Sequence, residues 1–248
     1  MKEQLIYGLH TVQTILSHTP EKIRVLFIQQ GRHDFRMQDI IDLAEKNHIS
    51  LQYIAKDKLD LLAINANHQG IAAKIISTPE CTEIDIPDIL ANSNTPPLLL
   101  ILDEVQDPHN LGACLRSANA AGVQAVIAPK NNAAGLTSVV RKVASGAAEV
   151  TPFITVTNLA RTLTLLKNNG IWIYGADTNA KKTIYEIDWR GPVALVLGSE
   201  DKGLRRLTKE HCDDIVSIPM CGTIGSLNVS VATGICLFEV VRQRLIRN

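Results

Sequence analysis

Three stretches of this sequence combine polar side chains with glycines in a way that a structural framework alone does not require. The first, DPHNLGACLRSANAAG (107–122), follows the aliphatic run LLLILD. Asp107-Pro108 turns the chain, Asn110 is a good helix N-cap, and Gly112 leaves the first helical turn sterically open. A helix start of this kind presents backbone N–H groups to an anion. Arg116 lies six residues beyond Asn110, and its long side chain is expected on the same side of the helix start, within reach of a phosphate there. Taken alone, Asn110 reads as a structural cap and Arg116 as a solvated helix residue.

The second stretch, GSEDKGLRR (198–206), has Gly198 and Gly203 bracketing a turn at a strand end, where backbone can approach a ligand closely. Glu200 in that turn could bind a ribose hydroxyl or orient an arginine; it could equally be a solvated turn acid. The glycine spacing is neither the dinucleotide fingerprint nor a P-loop. The third, SIPMCGTIGSLNVSVATGICLFEVV (217–241), runs from a strand through Gly222 and Gly225 to Ser226 and Asn228 at a helix entrance. Two polar side chains beside two glycines at a strand's C-terminal edge favour a ligand site over simple capping. The helix beyond Asn228 is nearly apolar all round, which predicts burial on several sides.

The elements that must position these stretches are legible as hydrophobic patterns. Near-continuous aliphatic runs at 98–103, 125–128, 171–175, 193–198 and 214–219 read as buried strands, alternating with helices at 111–121, 159–167, 204–210 and from 228 onward. That alternation predicts an α/β domain with a mostly parallel sheet covered by helices on both faces. All three stretches then follow strands, where open α/β sheets place ligands. Upstream, strands at 23–28, 51–54 and 70–76 with helices at 8–16, 37–46 and 56–64 predict a second, small α/β domain. Between them, residues 78–97 hold four acids, no base and Pro79, Pro87, Pro96 and Pro97, which marks a linker with a short helix inside it at 86–92. The expected domains are therefore 1–77 and 98–248.

Composition narrows the class. A chain of 248 residues, 46% apolar and 20% charged, has neither the bias of a disordered segment nor that of a coiled coil. The longest aliphatic run, Leu98–Leu102, is far short of the ~20 residues that cross a bilayer, and the start MKEQLIYGLH lacks the order of a signal peptide. Five cysteines without a C-x-x-C, and histidines without ligand spacing, suggest neither disulfides nor a metal site. A soluble, cytoplasmic protein without a membrane partner is expected. The 25 basic and 25 acidic residues cancel, so charge gives no sign of nucleic acid, and ten aromatics are too few for a base-stacking sheet. Arg141, Lys142, Arg205 and Arg206 read as contacts to a phosphate backbone or as solvated surface, with nothing to choose between the two.

Together the three stretches resemble the motifs of the SpoU (TrmH) family of RNA ribose 2′-O-methyltransferases, in the SPOUT superfamily: DPHNLGACLRSANAAG, LVLGSEDKGLRR and IPMCGTIGSLNVSVATGICLFE, in that order. YGLHTVQTIL and HQGIAAKI are similar to parts of the family's ribosomal-protein-like RNA-binding domain, so the resemblance spans essentially the whole chain. It implies a trefoil knot in the C-terminal sheet, a homodimer and S-adenosyl-L-methionine as cofactor. By motif, Gly198, Ile218, Leu227 and, more weakly, Met220 resemble cofactor contacts. Asn110, Arg116, Glu200, Ser226 and Asn228 match positions assigned to catalysis, phosphate binding or site architecture. Arginine is effectively always protonated, so Arg116 is expected as an electrostatic stabiliser, with a base role left open. The subgroup most similar methylates a guanosine ribose in the peptidyl-transferase loop of 23S rRNA, which implies that RNA as partner. A tRNA ribose methyltransferase and a non-catalytic RNA-binding relative are the alternatives; intact motifs argue against the second.

Overall fold

A computed structural model describes residues 3–32, 34–64, 67–76 and 81–246. The chain divides into two compact units, Met1–Pro79 with Ser145–Val150, and Glu80–Ala144 with Thr151–Asn248.

In the first unit the order is β1 (Glu3–Tyr7), α1 (Leu9–His18), β2 (Ile23–Gln29), α2 (Phe35–Lys46), β3 (Ser50–Ile54), α3 (Lys56–Leu62) and β4 (Ile71–Ile76). The sheet runs β1-β4-β2-β3; β4 is antiparallel to both β1 and β2, and β3 is parallel to β2. Val12, Ile15 and Leu16 of α1 and Met37, Ile40, Ile41 and Ala44 of α2 recur at helical spacing and join Leu26, Ile28, Ala73 and Ile75 in one core. The Asp34 carboxylate starts α2 by accepting from the Met37 N–H at 3.1 Å. The pattern did not reveal β1, whose EQLIY mixes polar and apolar residues without clear alternation.

The second unit begins within the expected linker. The described residues of that stretch include α4 (Ile86–Ala91), and Ile86 is a member of the unit's core. There follow β5 (Leu98–Asp103), α5 (Pro108–Ala120), β6 (Ala125–Pro129) and α6 (Ser138–Ala144). After α7 (Ala147–Val150), which groups with the first unit, come β7 (Phe153–Val156), α8 (Leu159–Asn168), β8 (Trp172–Ala176) and β9 (Lys182–Thr183). The chain finishes with β10 (Val193–Gly198), α9 (Arg206–His211), β11 (Asp214–Ser217) and α10 (Val229–Leu245).

The sheet order is β7-β6-β5-β10-β8-β11-β9, and every registered pair is parallel. Strands buried on both faces explain the unbroken aliphatic runs. Leu99, Ile101, Ala194 and Val196 face a core shared with Leu159, Leu163 and Leu166 of α8, while Leu98, Leu100 and Leu102 point to the opposite face and are equally buried. α5 contacts both α6 and α10, and α8 contacts α9. β10 inserts between β5 and β8, both earlier in the chain. A knot concerns how loops pass one another and is a separate property from this strand order.

Candidate active site

The first stretch enters α5 through a different cap from the one expected. Asp107 is the N-cap, its carboxylate accepting from the His109 N–H at 2.8 Å, with Pro108 in the first helical position. Asn110 therefore lies inside the first turn and its side chain is released from capping. It is nearly buried, at 8% exposure, and its Nδ2 donates to Glu200 Oε1 and, at 3.3 Å, to Asp107 Oδ2.

Glu200 stands in the turn after β10, which can form only because residue 198 has no side chain. A Cβ on Gly198 would lie 2.1 Å from the Gly203 carbonyl carbon and 2.3 Å from the Leu204 nitrogen. The turn folds back on itself through a Gly203 N–H to Ser199 carbonyl bond of 2.9 Å, with Gly203 at φ +63°. Asn228 caps α10: its Oδ1 accepts from the Ser230 N–H at 2.9 Å and from the Ser230 hydroxyl at 2.6 Å. That fixes the amide so that Nδ2 points back, donating to Glu200 Oε1 at 2.9 Å and to Asn110 Oδ1 at 3.1 Å. Three side chains from the ends of β5, β10 and β11 thus meet, and two amides hold one oxygen of a carboxylate that stays exposed.

Beside this cluster a cleft of about 480 Å³ opens at the ends of β10, β8 and β11. Gly198, Ile218, Met220 and Leu227 line it, as do Glu200 and Ser226. The structure brings all four expected cofactor contacts to one cavity, and Asn110, Glu200 and Asn228 to one hydrogen-bonded group. It does not bring Arg116 to either. At 100° per residue Arg116 is turned about 120° around α5 from Asn110, so the two are not on one side of the helix as expected. Arg116 is exposed and pairs with no described residue. Arg205 is committed elsewhere: its backbone N–H and guanidinium bind the fully buried Asp103, and the guanidinium also reaches Glu104 at 3.1 Å.

Sequence reasoning missed Asp177, Thr178 and Asn179, which also line the cleft after β8. The signal was present, since ADTN follows a strand as a polar turn. Burial pushes the Asp177 carboxyl up, but the Lys209 ammonium and the Asn179 N–H outweigh it and hold the group below the ordinary aspartate range. The lining residues include three carboxylates, Asp177, Glu200 and Asp201, against the two ammonium groups of Lys202 and Lys209.

α10 is less covered than its composition implied. Thr233, Cys236, Leu237 and Val240 are buried, yet Val231, Phe238 and Leu245, spaced seven apart on one stripe, are about half exposed or more. Among the described residues no helix is long and apolar enough to cross a membrane.

Residues 97–238 match the SpoU rRNA Methylase family, and residues 5–80 match the domain described as RNA 2′-O ribose methyltransferase substrate binding. The chain is 53% identical over 246 residues to the 23S rRNA (guanosine-2′-O-)-methyltransferase RlmB of Haemophilus influenzae, covering 99% of each. It is 51% identical over 241 residues to the Escherichia coli K12 protein of the same name, covering 97% of this chain and 99% of that one. In fold it is similar to the SpoU methyltransferase AviRb from Streptomyces viridochromogenes, crystallised with AdoMet, with a TM-score of 0.77 over 98% of this chain and 91% of that one, at 23% identity.

Proposed function

The chain belongs to the SpoU rRNA methylase family, and from that membership we propose that it methylates the 2′-hydroxyl of a guanosine ribose in 23S rRNA, using S-adenosylmethionine. The activity named for the Haemophilus influenzae and Escherichia coli relatives supports the substrate, at about half identity over nearly the whole chain. The observation that carries the reading is the meeting of Asn110, Glu200 and Asn228 on the rim of a cofactor-sized cleft.

The cleft fits the cofactor in size and charge. Its volume of about 480 Å³ lies within the ~300–1,000 Å³ usual for such ligands. One net negative charge among the lining residues suits a molecule whose sulfonium and ammonium outnumber its carboxylate. When bound, the cofactor supplies an electrophilic methyl carbon on sulfur. Gly198, Ile218 and Leu227 would hold it mainly through backbone, with Met220 beside them. Ser226 offers a hydroxyl at the same rim.

The chain's own work is then orientation and charge. Two amides fix Glu200 Oε1, so Oε2 is the acceptor placed to hold the ribose hydroxyl and its proton in line for displacement. Arg116, exposed and with no partner among the described residues, takes an RNA phosphate beside the site; a base role at that position stays secondary, because guanidinium does not readily lose a proton. The region before residue 78 acts as the RNA-binding domain and 98–248 as the catalytic one. The exposed Val231, Phe238 and Leu245 stripe supports a homodimer packed through α10, in the cytoplasm where ribosomes are assembled.

Incubation of the chain with tritiated S-adenosylmethionine and rRNA from a strain lacking its gene tests the reading. Label at one 23S guanosine, mapped as a ribose methyl, is the expected result; label confined to tRNA, or none, overturns it. Gly198→Ala forces the turn into the Gly203 backbone, so calorimetry on a folded variant should show lost cofactor binding. Unchanged affinity would remove that turn from the cofactor site.

A further inference from the structure

A second cleft, of about 470 Å³, opens at the same C-terminal edge of the sheet, beyond the ends of β6 and β7. One segment of chain serves both cavities. Residues 198–203 wall the first, and Arg205, Leu207 and Thr208 wall the second. β5 alone separates β6 from β10, so the nearest edges of the two openings lie roughly 10 Å apart at ~4.8 Å per strand.

The chemistry of the second cleft is that of a surface that reads a base rather than one that holds a phosphate. Arg205 is its only guanidinium, and that charge is more than balanced by Asp103 and Glu104. What remains is amide. Asn131 and the Nδ2 of Asn158 have no partner among the described residues, while Asn158 Oδ1 accepts from the Arg161 N–H at 3.0 Å. Asn132, at φ +56°, is tied by its Nδ2 to Glu104 Oε1 at 3.3 Å, which orients its free carbonyl oxygen. Groups that both donate and accept match the edges of bases, and Leu207, 53% exposed, offers an apolar surface for a base face.

We propose that this cleft receives an unpaired base of the substrate RNA, one or two nucleotides from the guanosine that is methylated, and so contributes to choosing the site. The inference rests on the RNA methylation proposed above. A strand that lays one ribose on the Asn110, Glu200 and Asn228 rim crosses the end of β5 and brings a neighbouring base to the amides. Phosphates along that path are left to other cations.

Ala160 lines the cleft without a side-chain bond, and Ala160→Phe fills it. With a 23S rRNA fragment as substrate, the expected result is a KM for RNA raised at least ~10-fold, with kcat at saturating RNA and S-adenosylmethionine affinity within ~2-fold of the parent. The parent should also discriminate among bases at one flanking position, and the variant should not. Asn131→Ala combined with Leu207→Ala, both at the surface, gives the same readout should the filled variant not fold. An unchanged KM and unchanged flanking-base preference in folded variants overturn the cleft assignment while leaving the methylation standing. Absence of methylation by the parent overturns both.

Discussion

Two polar clusters sit on one sheet edge, a few residues apart along the same loops, and they are built on opposite plans. Asp103, Glu104 and Arg205 form a strut: the acid at the end of β5 is fully buried and its charge is met by a guanidinium that also ties down the loop after β10. Asn110, Glu200 and Asn228 form a platform: neutral amides grip one oxygen of an exposed carboxylate, and no cation among the described residues pairs with it. A charge matched by its opposite has nothing left to offer a ligand. A charge held in place yet left uncompensated keeps its interaction for whatever arrives. By this contrast Arg205, one of the expected RNA contacts, is committed to holding the fold, and Glu200 is the one whose charge is free to meet a ligand.

The largest effect that tests the contrast is on stability. Arg205→Ala strands the buried Asp103 carboxylate, for an expected loss of about 3–5 kcal/mol. Asp103→Ala should cost less, because the Arg205 side chain is 43% exposed and retains Glu104. Chemical denaturation of both variants checks the order. If the order were reversed, Asp103 would not be the group whose desolvation the pair compensates. Glu200→Gln should leave the denaturation midpoint almost unmoved while abolishing most methylation, since Glu200 is exposed and supports no buried charge.

Next comes Arg116→Lys, which keeps the charge but loses the planar fork that can bind two phosphate oxygens. A role in the transition state predicts at least a ~100-fold fall in single-turnover methylation, about 3 kcal/mol, with S-adenosylmethionine binding retained. Near-parental activity at neutral pH would return Arg116 to an ordinary exposed helix residue. A rate that instead rises with pH in the lysine variant would favour a proton-accepting role at that position, because lysine deprotonates far more readily.

The same contrast explains what could be read without coordinates. Long strands buried on both faces, such as β5, β6 and β10, announce themselves, and five of the seven in the larger sheet stand where aliphatic runs predict them. β7 and β9 do not, because FITV is short and follows Pro152, and Lys182–Thr183 is a two-residue edge. α6 was missed although Gly112 is its negative print: a Cβ there would sit 2.6 Å from the Val143 Cβ, so that glycine admits a neighbouring helix rather than an anion. Pro108 in the first helical position was a readable sign that Asp107, not Asn110, caps α5. The Arg116 orientation was likewise available from helical geometry. What no local pattern could supply is the meeting of Asn110, Glu200 and Asn228, residues up to 118 apart, because it depends on β10 entering between β5 and β8.

The smallest expected fall in methylation comes from Asn228→Asp, and it separates the two jobs that this one side chain performs. Its Oδ1 caps α10 and its Nδ2 braces Glu200 and Asn110. Asn228→Asp keeps an oxygen for the Ser230 N–H, and aspartate caps about as well as asparagine, so the capping part of the unfolding free energy should change by no more than ~0.5 kcal/mol. The other half of the residue is inverted. A donor becomes an acceptor facing the Glu200 carboxylate, the Asn110 carbonyl oxygen loses its partner, and two like charges meet where one was held. Loss of a hydrogen bond to a charged group, at ~1.5–3 kcal/mol, corresponds to a fall in methylation of at least ~10-fold. Asn228→Ala provides the reference, losing the cap at ~1 kcal/mol of stability along with the brace. Should the aspartate variant methylate RNA as the parent does, the amide grip on Glu200 would be no more than a consequence of capping, and the platform would reduce to Asn110 and Glu200 alone.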